Sequence, residues 1–227
     1  EGLPAVRAVL EEGINVNITL LFSVENYVAV AQTYCEALRA RVKKGLPVDK
    51  IRSVASFFVS RVDTLGDKML NEIIAKNAGT DLAKRAEGLL GKFGIANSKL
   101  AYKRYQQIFE TDKFADLKAK GAAVQRPLWA STSTKNPSYR DVMYVEQLIG
   151  RETVNTMPHA TLEAFVDHGI VAETVTKGVA DAERIPSQLE ELGISVKGLL
   201  DELQVDGVKK FSDSFVSLNQ TIAAKLA

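Results

Sequence analysis

Short apolar runs alternate along this chain with longer segments whose apolar residues recur every three or four positions. The first run, near residues 14–22, has strand composition, and the Ser23 that follows is placed to cap a helix starting near Glu25. That helix, to about Lys44, sets Tyr27, Val30, Ala31, Tyr34, Leu38 and Val42 on one stripe, with Gly45 and Pro47 as stop signals. Further strands are predicted near 52–60, 125–131 and 152–157, with Pro127 near the start of the third, where a missing N–H is tolerable. Between the second and third strands, Leu65, Met69, Ile73 and Ile74, then Leu100, Tyr105 and Ile108, recur at helical spacing. Two or three helices therefore fill residues 64–110. Short helices are expected at about 138–149 and 159–167, and residues 186–227 read as helical, ending in an amphipathic segment over 207–226. No internal repeat or low-complexity stretch interrupts this pattern.

Composition narrows the class. The chain has 227 residues, 46% hydrophobic and 25% charged, with 29 basic against 28 acidic side chains. A single α/β domain over residues 1–227 is the natural reading, and disorder or a fibre is excluded. A net charge of +1 gives no electrostatic reason to expect nucleic acid or an anionic membrane as partner. No apolar run approaches the roughly 18–20 residues of a membrane span. The single cysteine, Cys35, sits on the apolar side of its helix and reads as a small core residue, which fits a reducing, cytoplasmic compartment. Residue 1 is Glu rather than Met, and Glu1-Gly2-Leu3-Pro4 reads as the interior of something longer.

Strands each followed by helix build parallel sheets, and chemistry in such sheets gathers at the strand C-terminal ends. Polar residues late in each strand are therefore the candidates: Asn17 and Thr19; Ser56 and Phe58, then Arg61 and Asp63; the run Trp129 to Asn136; Asn155 and Thr156. Strand alternation sharpens this. If Val16, Ile18 and Leu20 face the outer helices, Asn15, Asn17 and Thr19 face the centre of the sheet or barrel, where a polar group needs a partner or a ligand. Arg61 and Lys135 each lie just past a strand end beside Ser or Thr, the pattern expected for an anion, although solvated loop cations share it. His168, before Gly169, lies at a helix C-terminus where a cation is favoured, and His159 is a helix-entry residue.

Several strings in order carry a family resemblance. Asn17-Ile18-Thr19-Leu20-Leu21-Phe22-Ser23 and Ser56-Phe57-Phe58-Val59-Ser60-Arg61-Val62-Asp63 resemble transaldolase. The run Trp129 to Pro137, Tyr144 to Gly150, and Thr153-Val154-Asn155-Thr156-Met157-Pro158 resemble its longer-chain branch, related to the bifunctional transaldolase/glucose-6-phosphate isomerase group. The resemblance covers essentially the whole chain and implies a (β/α)8 TIM barrel of the class I aldolase type. This chain would supply its C-terminal part, about the last four β/α units plus C-terminal helices.

The resemblance also implies the activity: transfer of a dihydroxyacetone unit from sedoheptulose 7-phosphate to glyceraldehyde 3-phosphate, giving erythrose 4-phosphate and fructose 6-phosphate, in the pentose phosphate pathway. The chemistry runs through a lysine Schiff base with no cofactor or metal. By similarity Asn17 would bond the dihydroxyacetone unit, Thr19 would hold the catalytic water and Ser56 would contact a substrate hydroxyl or the carbinolamine. Phe58 would wall the site, while Arg61, with Lys135 and with Ser131 in preference to Ser133, would bind the sugar phosphate. The third strand departs from the commoner family string by ending in lysine instead of arginine, which loses the bidentate fork. The Schiff-base lysine itself is expected upstream of residue 1, so the partner of this chain would be the N-terminal half of the same barrel and the chain alone would be inactive. Two alternatives stand beside this: a Schiff-base sugar-phosphate aldolase using Lys135, and a noncatalytic half-barrel that binds sugar phosphate.

Overall fold

The computed structural model describes residues 2–226. A helix α1 (Leu3–Glu11) leads into strand β1 (Val16–Leu21), helix α2 (Val24–Lys43) and strand β2 (Ser53–Phe58). Helices α3 (Ser60–Lys76), α4 (Asp81–Glu87) and α5 (Phe93–Phe109), with a 3₁₀ turn and the short α6 (Ala115–Lys118), precede strand β3 (Arg126–Ala130). Then come α7 (Met143–Gln147), β4 (Val154–Asn155), α8 (His159–His168), α9 (Val179–Ala182), α10 (Ile185–Glu191) and the long α11 (Val196–Leu226).

Local chemistry accounts for these elements. Ser23 holds extended backbone and its hydroxyl accepts the Asn26 N–H at 3.0 Å, so α2 begins where a Ser cap follows a strand. Removing that acceptor in Ser23→Ala is expected to cost about 1 kcal/mol in urea unfolding; an unchanged midpoint would mean water replaces the cap without loss. On α2, Tyr27, Val30, Ala31, Tyr34 and Leu38 of the predicted stripe are buried and Val42 is half-buried; Cys35 is buried with them, and its thiol is pushed up to about 11, chiefly by burial. A thiol so raised is a packing residue, without thiolate character at neutral pH.

The four strands form one parallel sheet in the order β1-β2-β3-β4, with Val16 beside Ser53, Ser56 beside Leu128 and Leu128 beside Val154. Each strand neighbours the next in sequence, so the sheet lacks the reversal of order that defines a doubly wound fold. Alternation sorts side chains by face. Ala55, Phe57 and Trp129 join the core under α2 and α5, whereas Val54, Phe58, Leu128, Ala130 and Val154 join a second cluster with residues of α3, α4, α10 and α11.

Leu20 departs from the sequence expectation that it faces the outer helices. Its φ of 61° is left-handed, the β1–β2 register shifts between Ile18 and Leu21, and Leu20 packs instead with Phe22 and Phe58 in the second cluster. Leu21 takes the place under the outer helices. Such a conformation costs a non-glycine residue roughly 1–2 kcal/mol, offset here by burial of both leucines. Asn15 does not turn inward either: its Oδ1 accepts the Arg52 N–H at 2.8 Å and aligns the entry of β2.

Helix α11 closes the second face at the C-terminal ends of β1 and β2. Gly207 permits this approach, since a Cβ there would lie 3.1 Å from Leu20 Cδ2. Beyond Gly207 the helix is exposed on all sides, including Val208, Phe211, Phe215, Leu218 and Ile222 at alternating three- and four-residue spacing.

Candidate functional site

The C-terminal ends of β2 and β3 meet α3 and α11 around a cleft of about 540 Å³. The junction is tight. Ser60 and Ser131, the residues just past these strands, share a hydrogen bond between hydroxyls at 2.8 Å, and the Ser60 N–H donates to the Ser131 carbonyl at 2.9 Å. Ser131 is held at φ 58°, a strained conformation for serine that aims the end of β3 at α3. Gly94 lets α5 start against the same junction, where a Cβ would sit 2.6 Å from the Val59 carbonyl oxygen.

Arg61 is the first charged residue of α3 and lines the cleft with Ser60, Ser131 and Lys135. Its guanidinium carbon stands 5.0 Å from the Phe58 ring centroid, a cation–π distance, and its Nη1 is buried without a hydrogen-bond partner. A buried charged donor left unpaired is costly. Lys135 is exposed, and its Nζ donates to Ser133 Oγ at 2.7 Å. Of the two candidate serines, Ser131 lines the cleft and Ser133 holds Lys135.

Asn17, Thr19, Ser56 and Phe58 share the cleft face of the sheet. Ser56 Oγ donates to Asn17 Oδ1 at 2.7 Å, so the first two strands present these groups as one unit. Asn17 and Thr19 are exposed on this face, whereas Ser56 is buried. Phe58 is buried against Phe22, with ring centroids 5.2 Å apart, and forms the floor under Arg61. Asn155 lies on the opposite face, beside Trp129, and its Oδ1 accepts from Thr132 at 2.8 Å, which ties β4 to the end of β3. His168 bridges Asp141 at 2.9 Å and Asp167 at 3.0 Å, and these two hydrogen bonds raise its pKa at an exposed surface position.

Several cleft residues were missed in the sequence reading. Thr64 and Lys68 follow Arg61 at helical spacing on α3, a periodicity that was legible. Glu202, Asp206 and Lys210 arrive on α11 and bear no local signal linking them to residues 60–135. Asp206 pairs with Lys210 at 2.6 Å, so the cleft opposes Arg61, Lys68 and Lys135 to a wall of mixed charge. Asp63, a strand-end candidate in the sequence, is a buried group in the structure. It is 2% exposed, its Oδ1 accepts the Gly94 N–H at 2.6 Å and its Oδ2 has no partner. Burial raises it to about 6, against smaller opposing effects of the Gly94 N–H and the Tyr144 hydroxyl, although no hydrogen bond of normal geometry reaches Oδ2. Among the described residues no cluster of His, Cys, Asp and Glu is arranged to hold a metal ion, and no helix is long and apolar enough to cross a membrane.

A four-stranded parallel sheet whose strand C-terminal ends converge on an arginine, paired serines and a lysine defines a β/α protein with its polar cleft at the end of the sheet where such folds place their sites. The Transaldolase/Fructose-6-phosphate aldolase family matches residues 1–222, and the chain belongs to that family. It is 46% identical over 228 residues to a transaldolase of Trichodesmium erythraeum, covering 100% of this chain and 60% of that protein. It is 45% identical over 229 residues to transaldolase 2 of a Nostoc species, covering 99% of this chain and 60% of the relative. A transaldolase of Mycolicibacterium smegmatis is 48% identical over 218 residues, 96% of this chain and 57% of its own length. The chain thus spans about 60% of the length of the curated relatives it matches.

Proposed function

We propose that this chain is part of a transaldolase that moves a dihydroxyacetone unit between sugar phosphates, sedoheptulose 7-phosphate and fructose 6-phosphate as donors, glyceraldehyde 3-phosphate and erythrose 4-phosphate as acceptors. The observation that carries the reading is Arg61: a guanidinium with a buried unpaired Nη1, set over Phe58 at a strand C-terminus beside the Ser60–Ser131 pair. Family membership over residues 1–222 supports the same chemistry. Substrate phosphate lies in the Arg61, Ser131 and Lys135 cleft, and the ketose backbone extends across the sheet toward Ser56, Asn17 and Thr19.

In this reading a lysine amine adds to the ketose carbonyl and water leaves as the Schiff base forms. The carbon–carbon bond then breaks with its electron pair drawn into the protonated imine, and the aldose phosphate departs. The resulting enamine attacks the acceptor aldehyde, and hydrolysis frees lysine and product. Asn17, its Oδ1 occupied by Ser56, offers its amide N–H to the dihydroxyacetone oxygen, and Thr19 holds the water that relays protons. Phe58 keeps water from the reacting atoms.

The nucleophilic lysine comes from a part of the barrel outside these residues. None of β1–β4 carries a lysine, and the sheet holds four of the eight strands a TIM barrel requires. Lys135 is less suited to the task, because an activated lysine works from a desolvated pocket and Lys135 is exposed. The enzyme is cytoplasmic in this reading, in keeping with its buried free Cys35. Borohydride reduction with fructose 6-phosphate, followed by peptide mapping, tests the proposal. The 227-residue chain alone is expected to trap no substrate and to transfer nothing to erythrose 4-phosphate; label on Lys135, or turnover without a further segment, overturns the assignment.

A further inference from the structure

The segment that carries Lys135 runs from β3 to α7 with no secondary structure of its own, yet it is tied down at both ends. At its start Ser131 pairs with Ser60, and Thr132, fully buried, donates to Asn155 Oδ1 at 2.8 Å. At its far end the Tyr139 hydroxyl donates to Asp67 Oδ2 at 2.6 Å. Asp67 is fixed in turn, since its Oδ1 accepts the Gly91 N–H at 2.9 Å. The Tyr139 ring lies directly on Gly91, where a Cβ would come within 2.8 Å of the ring carbon bearing the hydroxyl. Asn136, next to Lys135, continues the tie: its carbonyl accepts the Tyr139 N–H at 3.1 Å and its Oδ1 accepts the Ser138 N–H at 2.9 Å.

Asp67 sits on α3, the helix that delivers Arg61, Thr64 and Lys68 to the cleft. The hydrogen bond from Tyr139 therefore joins the carrier of Lys135 to the carrier of Arg61. A flexible lysine loses conformational entropy on every anion it binds, and anchoring both ends of its loop in advance reduces that cost.

We propose that Asp67 and Tyr139 are positioning residues for the anion site, holding the loop so that Lys135 and Arg61 engage one phosphate together. The inference rests on the phosphate reading of the cleft and adds to it a pair that does not itself touch the ligand. Tyr139→Phe tests it, because the ring keeps its place on Gly91 while the hydroxyl is lost. With inorganic phosphate as the probe and calorimetry as the readout, the dissociation constant is expected to rise about 3- to 10-fold, in line with the loss of one charge-assisted hydrogen bond. The backbone amides of residues 133–136 and 138 should exchange with deuterium faster in the variant.

In a Lys135→Ala background the same substitution should add nothing further, since its effect passes through Lys135. An unchanged dissociation constant in Tyr139→Phe, with binding still weakened by Arg61→Ala, overturns the positioning role and leaves the phosphate reading intact. Equal weakening with and without Lys135 overturns it as well, as does a drop in melting temperature with affinity preserved, which marks a purely structural hydroxyl. Absence of phosphate binding by the unaltered chain removes the anion site itself, and the inference with it.

Discussion

Arg61→Ala lowers the affinity of the chain for inorganic phosphate by roughly 10- to 100-fold, the expected loss of a charged hydrogen-bond donor worth about 1.5–3 kcal/mol. The magnitude follows from the surroundings. Phe58 forms the floor below the guanidinium and Nη1 has no partner in the protein, so an incoming phosphate oxygen gains a charge-assisted bond from a group that is already desolvated. Arg61→Lys should recover part of the affinity, because it restores the charge without the planar fork. The alanine variant should also melt no lower than the parent chain, since removing an unsatisfied buried donor relieves a cost. Titration calorimetry and thermal melts check both halves, and an unchanged phosphate affinity would sink the assignment of Arg61.

Asp63→Asn has the second large effect, and it depends on pH. Burial raises the Asp63 carboxyl from an ordinary value near 4 to about 6. A carboxyl whose folded pKa lies above its unfolded one binds its proton more tightly when folded. Stability therefore falls as pH climbs from about 4 to about 6, and the full penalty is present above that window. Two pKa units correspond to about 3 kcal/mol. Asparagine keeps an oxygen for the Gly94 N–H but places an unpaired NH₂ at the Oδ2 position, so a net gain of about 2 kcal/mol is expected at pH 7.5. Near pH 4 the gain should vanish or reverse. Urea unfolding at the two pH values measures it, and an equal difference at both would show that ionisation of Asp63 is not what burial penalises.

Much of the site was legible because strand-end chemistry is local. Arg61 follows β2 by three residues and Ser131 follows β3 by one, so identifying each strand located its candidate ligand. The Ser56–Asn17 bond follows from two neighbouring parallel strands whose alternation puts both on one face. Other parts were not legible, each for its own physical reason. Leu20 breaks the alternation through a left-handed backbone that its sequence does not favour, and packing against Phe22 and Phe58 is what sustains it. Asp63 looks like any first-turn acid of a helix, and only the close approach of α5 through Gly94 reveals that it is buried. Asp67 and Tyr139 are 72 positions apart and belong to segments that no periodicity connects.

The sequence by itself determined the alternation of strand and helix, the cap at Ser23, the buried stripe of α2 with Cys35, and the polar groups that end each strand. These follow from propensity and from periods of two and 3.6, which act over a few residues. Tertiary structure alone decided that α11 brings Glu202, Asp206 and Lys210 to a cleft built from residues 60–135, that Leu20 turns away from the outer helices, and that the lysine loop is fastened to the arginine helix. Those outcomes depend on which distant surfaces meet, and side-chain packing and hydrogen-bond partners across such contacts carry no signature in the local order of residues.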